Sequence, residues 1–172
     1  MQLKRQDRIS KRMAENSVTL TKTEKDDLHA FFEFQLDEEQ IIWQRSRLKT
    51  RAIKTAYMEK YTKFLTDPTI HTRTIKVNGV IAGSVAKFVM EGDAEITYWI
   101  GRSFWGQGVA TTALEAFLKM EQTRPIYGRV AFDNYGSQKV LEKCGFVKTV
   151  TDKGFANARQ AEIEEYIYKL SE

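Results

Sequence analysis

The stretch that organises this chain runs from Ala94 to Thr111: Ala-Glu-Ile-Thr-Tyr-Trp-Ile-Gly-Arg-Ser-Phe-Trp-Gly-Gln-Gly-Val-Ala-Thr. Glu95–Ile100 reads as a strand, and Gly106 and Gly108 form a turn. A helix then begins at once, with Val109, Ala113, Ala116, Phe117 and Met120 at helical spacing on one face. This is a phosphate-binding layout. The first helical N–H groups have no partner within the helix, and the helix dipole adds partial positive charge there. The glycines let an anion approach the backbone with no side chain in the way.

Several phosphate ligands use such a turn. A Walker loop needs Gly-x-x-x-x-Gly-Lys followed by Ser or Thr, which is absent. A dinucleotide fingerprint needs a third glycine where Thr111 stands, and it opens a βαβ unit, whereas this turn follows a hairpin-rich half chain. A bare glycine turn with no ligand also fits this loop alone. A second stretch narrows the choice. Ile126–Phe132 reads as another strand, and Asp133-Asn134-Tyr135-Gly136-Ser137 opens a helix with Val140, Leu141 and Cys144 on one side, ended by Gly145-Phe146.

Together the two stretches resemble the GNAT family of N-acetyltransferases. Trp105-Gly106-Gln107-Gly108-Val109-Ala110 follows that family's acetyl-coenzyme A (acetyl-CoA) loop, Arg/Gln-x-x-Gly-x-Gly/Ala, except at its first position. Trp there is similar to the branch that acetylates N-terminal residues of ribosomal proteins. Asn134-x-x-Ser137, Val140-Leu141-Glu142-Lys143 and Gly145-Phe146 resemble the second signature of the same branch, in the right order and spacing. The resemblance covers roughly residues 17 to 170.

It implies an α+β fold: a single GNAT-type domain with a mixed, mostly antiparallel sheet of about seven strands, two splayed parallel central strands, and helices on both faces. It implies acetyl-CoA as cosubstrate, with no metal. The pyrophosphate would sit on the amides of Gln107 to Ala110, with Trp99, Ile100, Gly106, Gly108, Val109, Thr111, Asn134, Ser137 and Lys143 completing the coenzyme site. The chemistry would be acyl transfer from a thioester to a primary amine. It calls for a base, for which Glu95 on the central strand is the candidate, with a solvent-facing carboxylate or a partner of Arg or Lys as the alternative. It calls for an oxyanion donor, a backbone N–H near Trp99–Ile100. It also calls for a partner for the departing thiolate. Many family members use a Tyr where this chain has Leu141, so Ser137 is the candidate, with a helix-cap role as the bland alternative. Tyr98 reads as core, and Cys144 is not expected to act as a nucleophile.

The rest of the chain is consistent with one domain. Its 172 residues are 42% hydrophobic and 29% charged, with a net charge of +4 that suits an anionic ligand without arguing for nucleic acid. No run of about 18 apolar residues occurs, so no membrane-spanning helix is expected. A single cysteine fits a reducing cytoplasm. Residues 1–17, with Lys4, Arg5, Arg8, Lys11 and Arg12, read as a basic tail or as a contact arm for RNA, and residues 18–172 as the acetyltransferase domain.

Val18–Thr21 reads as a strand, and Thr23 as the cap of a helix with Asp26 reaching back and Leu28, Phe31, Phe32 and Leu36 buried. Asp37 to Thr50 is a polar stretch before a second helix, with Ile53, Ala56, Tyr57, Tyr61, Phe64 and Leu65 inward. The resemblance puts this region on the acceptor side, so Glu33, Asp37, Glu38 and Glu39 would either attract a cationic amine or simply face water. Asn78-Gly79 marks a hairpin between Ile70–Val77 and Val80–Met90. Val147–Thr151 and Ile163–Leu170 read as two final strands joined by a long loop, Asp152 to Ala161, and an exposed final strand would allow a homodimer. The acceptor is a small-molecule amine or a protein N-terminus. The alternative to an enzyme is a catalytically silent protein of the same fold that binds acyl-CoA or the ribosome.

Overall fold

Asn78 and Gly79 both adopt positive φ, 51° and 79°, as a tight turn between two right-twisted strands requires. They join β2 (His71–Val77) to β3 (Val80–Met90) in a computed structural model that describes residues 17–43, 47–156 and 161–172. Glu91 and Gly92, at φ 51° and 86°, turn the chain again into β4 (Asp93–Ile100), which pairs antiparallel with β3 from Met90↔Asp93 to Gly83↔Ile100. On the other side β1 (Val18–Lys22) pairs with β2. The remaining strands are β5 (Ile126–Ala131), β6 (Val147–Ala156) and β7 (Ala161–Leu170), and the sheet order is β1-β2-β3-β4-β5-β7-β6.

Among the described strands only β4 and β5 run parallel, and they stay together briefly. Ala94↔Ile126, Glu95↔Tyr127 and Ile96↔Gly128 are paired. Beyond them β4 continues to Ile100 and β5 to Ala131 without a ladder between them, so a fork opens in the middle of the sheet.

Four described helices cover the two faces. Helix α3 (Val109–Met120) buries Val109, Ala113, Leu114 and Phe117 in one core with Ile75, Val85, Ile96, Ile126 and Val130. Helix α4 (Tyr135–Lys143) adds Leu141 to the same core. Helix α1 (Asp27–Trp43) takes the opposite face, since Thr74, the strand neighbour of Ile75, points to it and donates to Asp27 Oδ2 at 2.8 Å. Leu28, Phe31 and Phe32 of α1 are buried there, and Phe32 meets Tyr57 of α2 (Arg47–Thr66), from which ring contacts continue along α2 through Tyr61 to Phe64.

Several expectations shift. The α1 start lies later than Thr23, whose buried hydroxyl sits 3.0 Å from that of Thr74, and the reach-back bond is made by Asp27 to the Glu24 amide, not by Asp26. Helix α1 runs through Ile41–Trp43, where a polar connector was expected. Ala56 and Met120 are exposed, and Leu114 takes the buried place on α3. Most of the supposed loop 152–161 is strand, because β6 and β7 pair as far as Ala156↔Ala161. The final strand, β7, lies inside the sheet between β5 and β6, so the homodimer edge assigned to it is not an edge. The basic residues of the N-terminal tail and the side chains of Asp37, Glu38 and Glu39 lie outside the described residues.

Candidate active site

The chain leaves β4 through Gly101 and a short 3-10 turn (Arg102–Phe104) before α3. Three glycines make this path possible. A Cβ on Gly83 of β3 would lie 1.9 Å from the Trp99 carbonyl oxygen, so only glycine lets the end of β4 approach this closely. Gly106 and Gly108 have φ of 71° and 73°, and Gly108 is the N-cap of α3. Trp105, in the first position of the loop motif, donates its indole N–H to the Ile100 carbonyl at 2.8 Å, which ties the loop back onto β4. The side chain of Gln107 folds back onto the Ser103 carbonyl at 3.1 Å.

Helix α3 begins with no side chain capping its amides and no acidic residue in its first turn. Its N-terminus keeps its positive end available to an anion. It opens into a cavity of about 820 Å³ lined by Tyr98, Trp99 and Ile100 of β4, the loop from Phe104 to Gly106, the α3 start from Gly108 to Thr111, and α4. The α4 wall supplies Asp133 to Ser137, Lys139, Val140 and Lys143. The cavity thus brings together every expected coenzyme residue except Gln107, which flanks it in sequence.

Helix α4 explains what Ser137 is free to do. Asn134 is the N-cap, its Oδ1 accepting from the Ser137 amide at 3.2 Å. The Ser137 hydroxyl therefore is not the cap. It lies 2.9 Å from the Tyr98 hydroxyl, which also reaches the Ser137 carbonyl at 3.2 Å. Tyr98 was expected to be plain core. Its ring is packed against the core, but its oxygen reaches the cavity wall, and burial pushes its hydroxyl pKa up to about 12. The residue spacing held the signal: Tyr98 shares the face of Ala94 and Ile96, the side that α4 covers. Leu141 is 2% exposed and packs where a Cβ on Gly128 would meet its methyls at 3.0 and 3.2 Å, so it faces the core and not the cavity.

Glu95 lies elsewhere. It is buried at the paired end of β4, four residues before Trp99 and roughly 13 Å away along an extended strand. Its Oε1 accepts from Arg129 Nε at 3.0 Å, and it does not line the cavity. Burial raises its pKa despite the guanidinium. Cys144 is half-buried with its thiol pushed up to about 11 by burial, the opposite of an activated nucleophile. On the α1 side, Glu33 pairs with Lys54 at 3.6 Å, and Phe34 rests against Gly101 at the exit of β4.

The sequence matches the acetyltransferase (GNAT) domain family over residues 17–147. The chain is a GNAT-family acetyltransferase. No curated protein sequence matches it. Among solved structures, this GNAT enzyme is similar to RimL, a ribosomal-protein alpha-N-acetyltransferase in complex with coenzyme A, at 18% identity and a TM-score of 0.68, over 90% of this chain and 93% of that one. It is similar to the microcin self-immunity acetyltransferase MccE in complex with acetyl-CoA and AMP, at 17% identity and 0.71, over 90% and 92%. It is also similar to a spermidine N-acetyltransferase chimera of SpeG from Vibrio cholerae and hSSAT, at 19% identity and 0.68, over 87% and 93%. At these identities the likeness is one of fold. Among the described residues no helix is long and apolar enough to cross a membrane.

Proposed function

We propose that this GNAT enzyme transfers the acetyl group of acetyl-CoA directly to a primary amine bound beside the fork between β4 and β5. The observation that carries the reading is the uncapped N-terminus of α3, which opens into the same cavity as the Tyr98–Ser137 pair. The cavity volume of about 820 Å³ is within the usual range for small-molecule sites. The amides from Gly108 to Ala110 would hold the pyrophosphate, with Lys139 and Lys143 adding charge from α4. Trp99, Ile100, Asn134 and Thr111 would line the pantetheine path.

At the reacting end the amine nitrogen attacks the acetyl carbonyl, and the carbon–sulfur bond breaks with its electron pair on sulfur. The amide of Gly101 is already bonded to the Ala82 carbonyl at 2.8 Å, so by strand alternation the amide of Ile100 faces the fork. It would receive the charge developing on the carbonyl oxygen. Ser137 would donate its hydroxyl to the departing sulfur. Glu95, as the base, would have to act through water, since it lies back along β4; as a buried partner of Arg129 it also holds the strand pair. The acceptor class is a protein N-terminus or a small amine. We read residues 18–172 as the acetyltransferase domain of a cytoplasmic enzyme, with residues 1–17 as its tail.

The test is transfer from acetyl-CoA to a panel of small amines and N-terminal peptides, with Ser137→Ala and Glu95→Gln alongside. Turnover with one amine class is expected, with kcat down about 10²-fold in Ser137→Ala. Tight coenzyme binding without transfer to any amine would replace the enzyme with a silent binder.

A further inference from the structure

We infer that Tyr98 is the positioning residue for Ser137: it fixes the Ser137 hydroxyl so that its proton points at the leaving sulfur. The inference rests on the proposed role of Ser137. The Tyr98 oxygen has one proton and two acceptors within reach, the Ser137 carbonyl at 3.2 Å and Ser137 Oγ at 2.9 Å. If the proton goes to the carbonyl, the Ser137 hydroxyl donates to Tyr98 and has nothing to offer the cavity. If it goes to Oγ, the Ser137 proton is free to point outward. An anion arriving at Ser137 selects the second arrangement, because it needs that proton. Tyr98 then balances the charge drawn toward the sulfur.

The placement is specific. The Ser137 amide is already taken by Asn134, so the cap of α4 does not compete for the hydroxyl. Leu141, one turn further on, is buried in the core and has no polar atom to contribute. The phenol therefore comes from the strand under the helix, not from the helix itself. No group is consumed: starting from the neutral amine, the nitrogen gives its one proton through water to the base, the sulfur leaves as a thiolate held by the Ser137 hydrogen bond and takes one proton from solvent, and Ser137 and Tyr98 keep theirs.

The test is a double-mutant cycle of Tyr98→Phe, Ser137→Ala and the pair, read in three ways: kcat, the Kd for coenzyme A by calorimetry, and the ultraviolet thiolate band of bound coenzyme A titrated with pH. Tyr98→Phe keeps the ring in the core, and its melting temperature checks the fold. The other titratable groups near the pair are Cys144, Asp133, Tyr135, Lys139 and Lys143, with Glu115 of α3 acting on Cys144, and all are common to the four proteins. Tyr98→Phe is expected to lower kcat about tenfold with Kd unchanged, and to raise the pH at which the bound thiol ionises. The double variant is expected to be no slower than Ser137→Ala alone. Multiplying losses, or a Tyr98→Phe enzyme with wild-type kcat and thiol titration, would overturn the inference while leaving Ser137 in place. A wild-type Ser137→Ala enzyme would overturn the role of Ser137 itself.

Discussion

Single atoms decide what the residues of this site are available for. Ser137 has its amide bound by Asn134 and its hydroxyl by Tyr98, so the two polar groups of one residue answer to different elements. Gly83 is a similar case. Nothing in its own stretch of β3 calls for a glycine; the need comes from Trp99, on another strand. Gly83→Ala places a methyl 1.9 Å from a backbone oxygen that cannot rotate away. The ends of β3 and β4 must part, at a cost of about 1–3 kcal/mol. A melting point lower by roughly 2–4 °C per kcal/mol and a weaker coenzyme Kd are expected together, since Trp99 and Ile100 line the cavity. A lowered melting point with full affinity would separate the two. This kind of requirement is invisible to local reading, whereas the turn of Tyr98 toward α4 follows from the strand alternation it shares with Ala94 and Ile96.

Elements were legible where their causes are local. Asn78-Gly79 announces its hairpin because left-handed backbone is demanded within the turn itself. The glycine loop and the start of α3 were legible for the same reason. The start of α1 was not, because the Thr23 hydroxyl found a distant partner in Thr74. Nor was the length of β6 and β7, whose ladder runs through residues that read as loop, Gly154 among them, because each strand supports the other. The element on which the site depends most is the first turn of α3. Gly108→Ala forces an L side chain into left-handed backbone at the N-cap, at a cost of about 1–2 kcal/mol. The strain falls where the pyrophosphate would bind, so coenzyme affinity is expected to drop more than stability does. Calorimetric titration beside a thermal melt measures both, and equal losses would mean the helix start is scaffold only.

Across the whole molecule, two buried carboxylates respond to pH in opposite directions. Glu121, at the end of the sheet away from the cavity, is buried, which raises its pKa, but hydrogen bonds from Thr123 and His71 outweigh this and hold it below 4.5. Its ionised form is the one the fold favours. The stability it contributes is present above pH 4.5 and is lost as pH falls through the folded value. Glu95 has a raised pKa, so its contribution is present below 4.5 and is lost as pH rises through its folded value. Glu121→Gln is therefore expected to be less stable than wild type at neutral pH, with the gap closing in acid. Glu95→Gln is expected to gain relative to wild type as pH rises. Denaturant melts at pH 4 and pH 7 measure both trends, and parallel curves for either variant would contradict the assignment.

The Glu95–Arg129 pair also spans the point where the sheet divides, from the second of the three β4–β5 pairs to the first residue of β5 past the last of them. It works as a clasp. Zipping further would draw together the strand ends that form the cavity, and unzipping further would part the buried Glu95 carboxylate from the half-buried guanidinium of Arg129. The clasp thus ties the opening of the fork to a contact that lies outside the cavity lining.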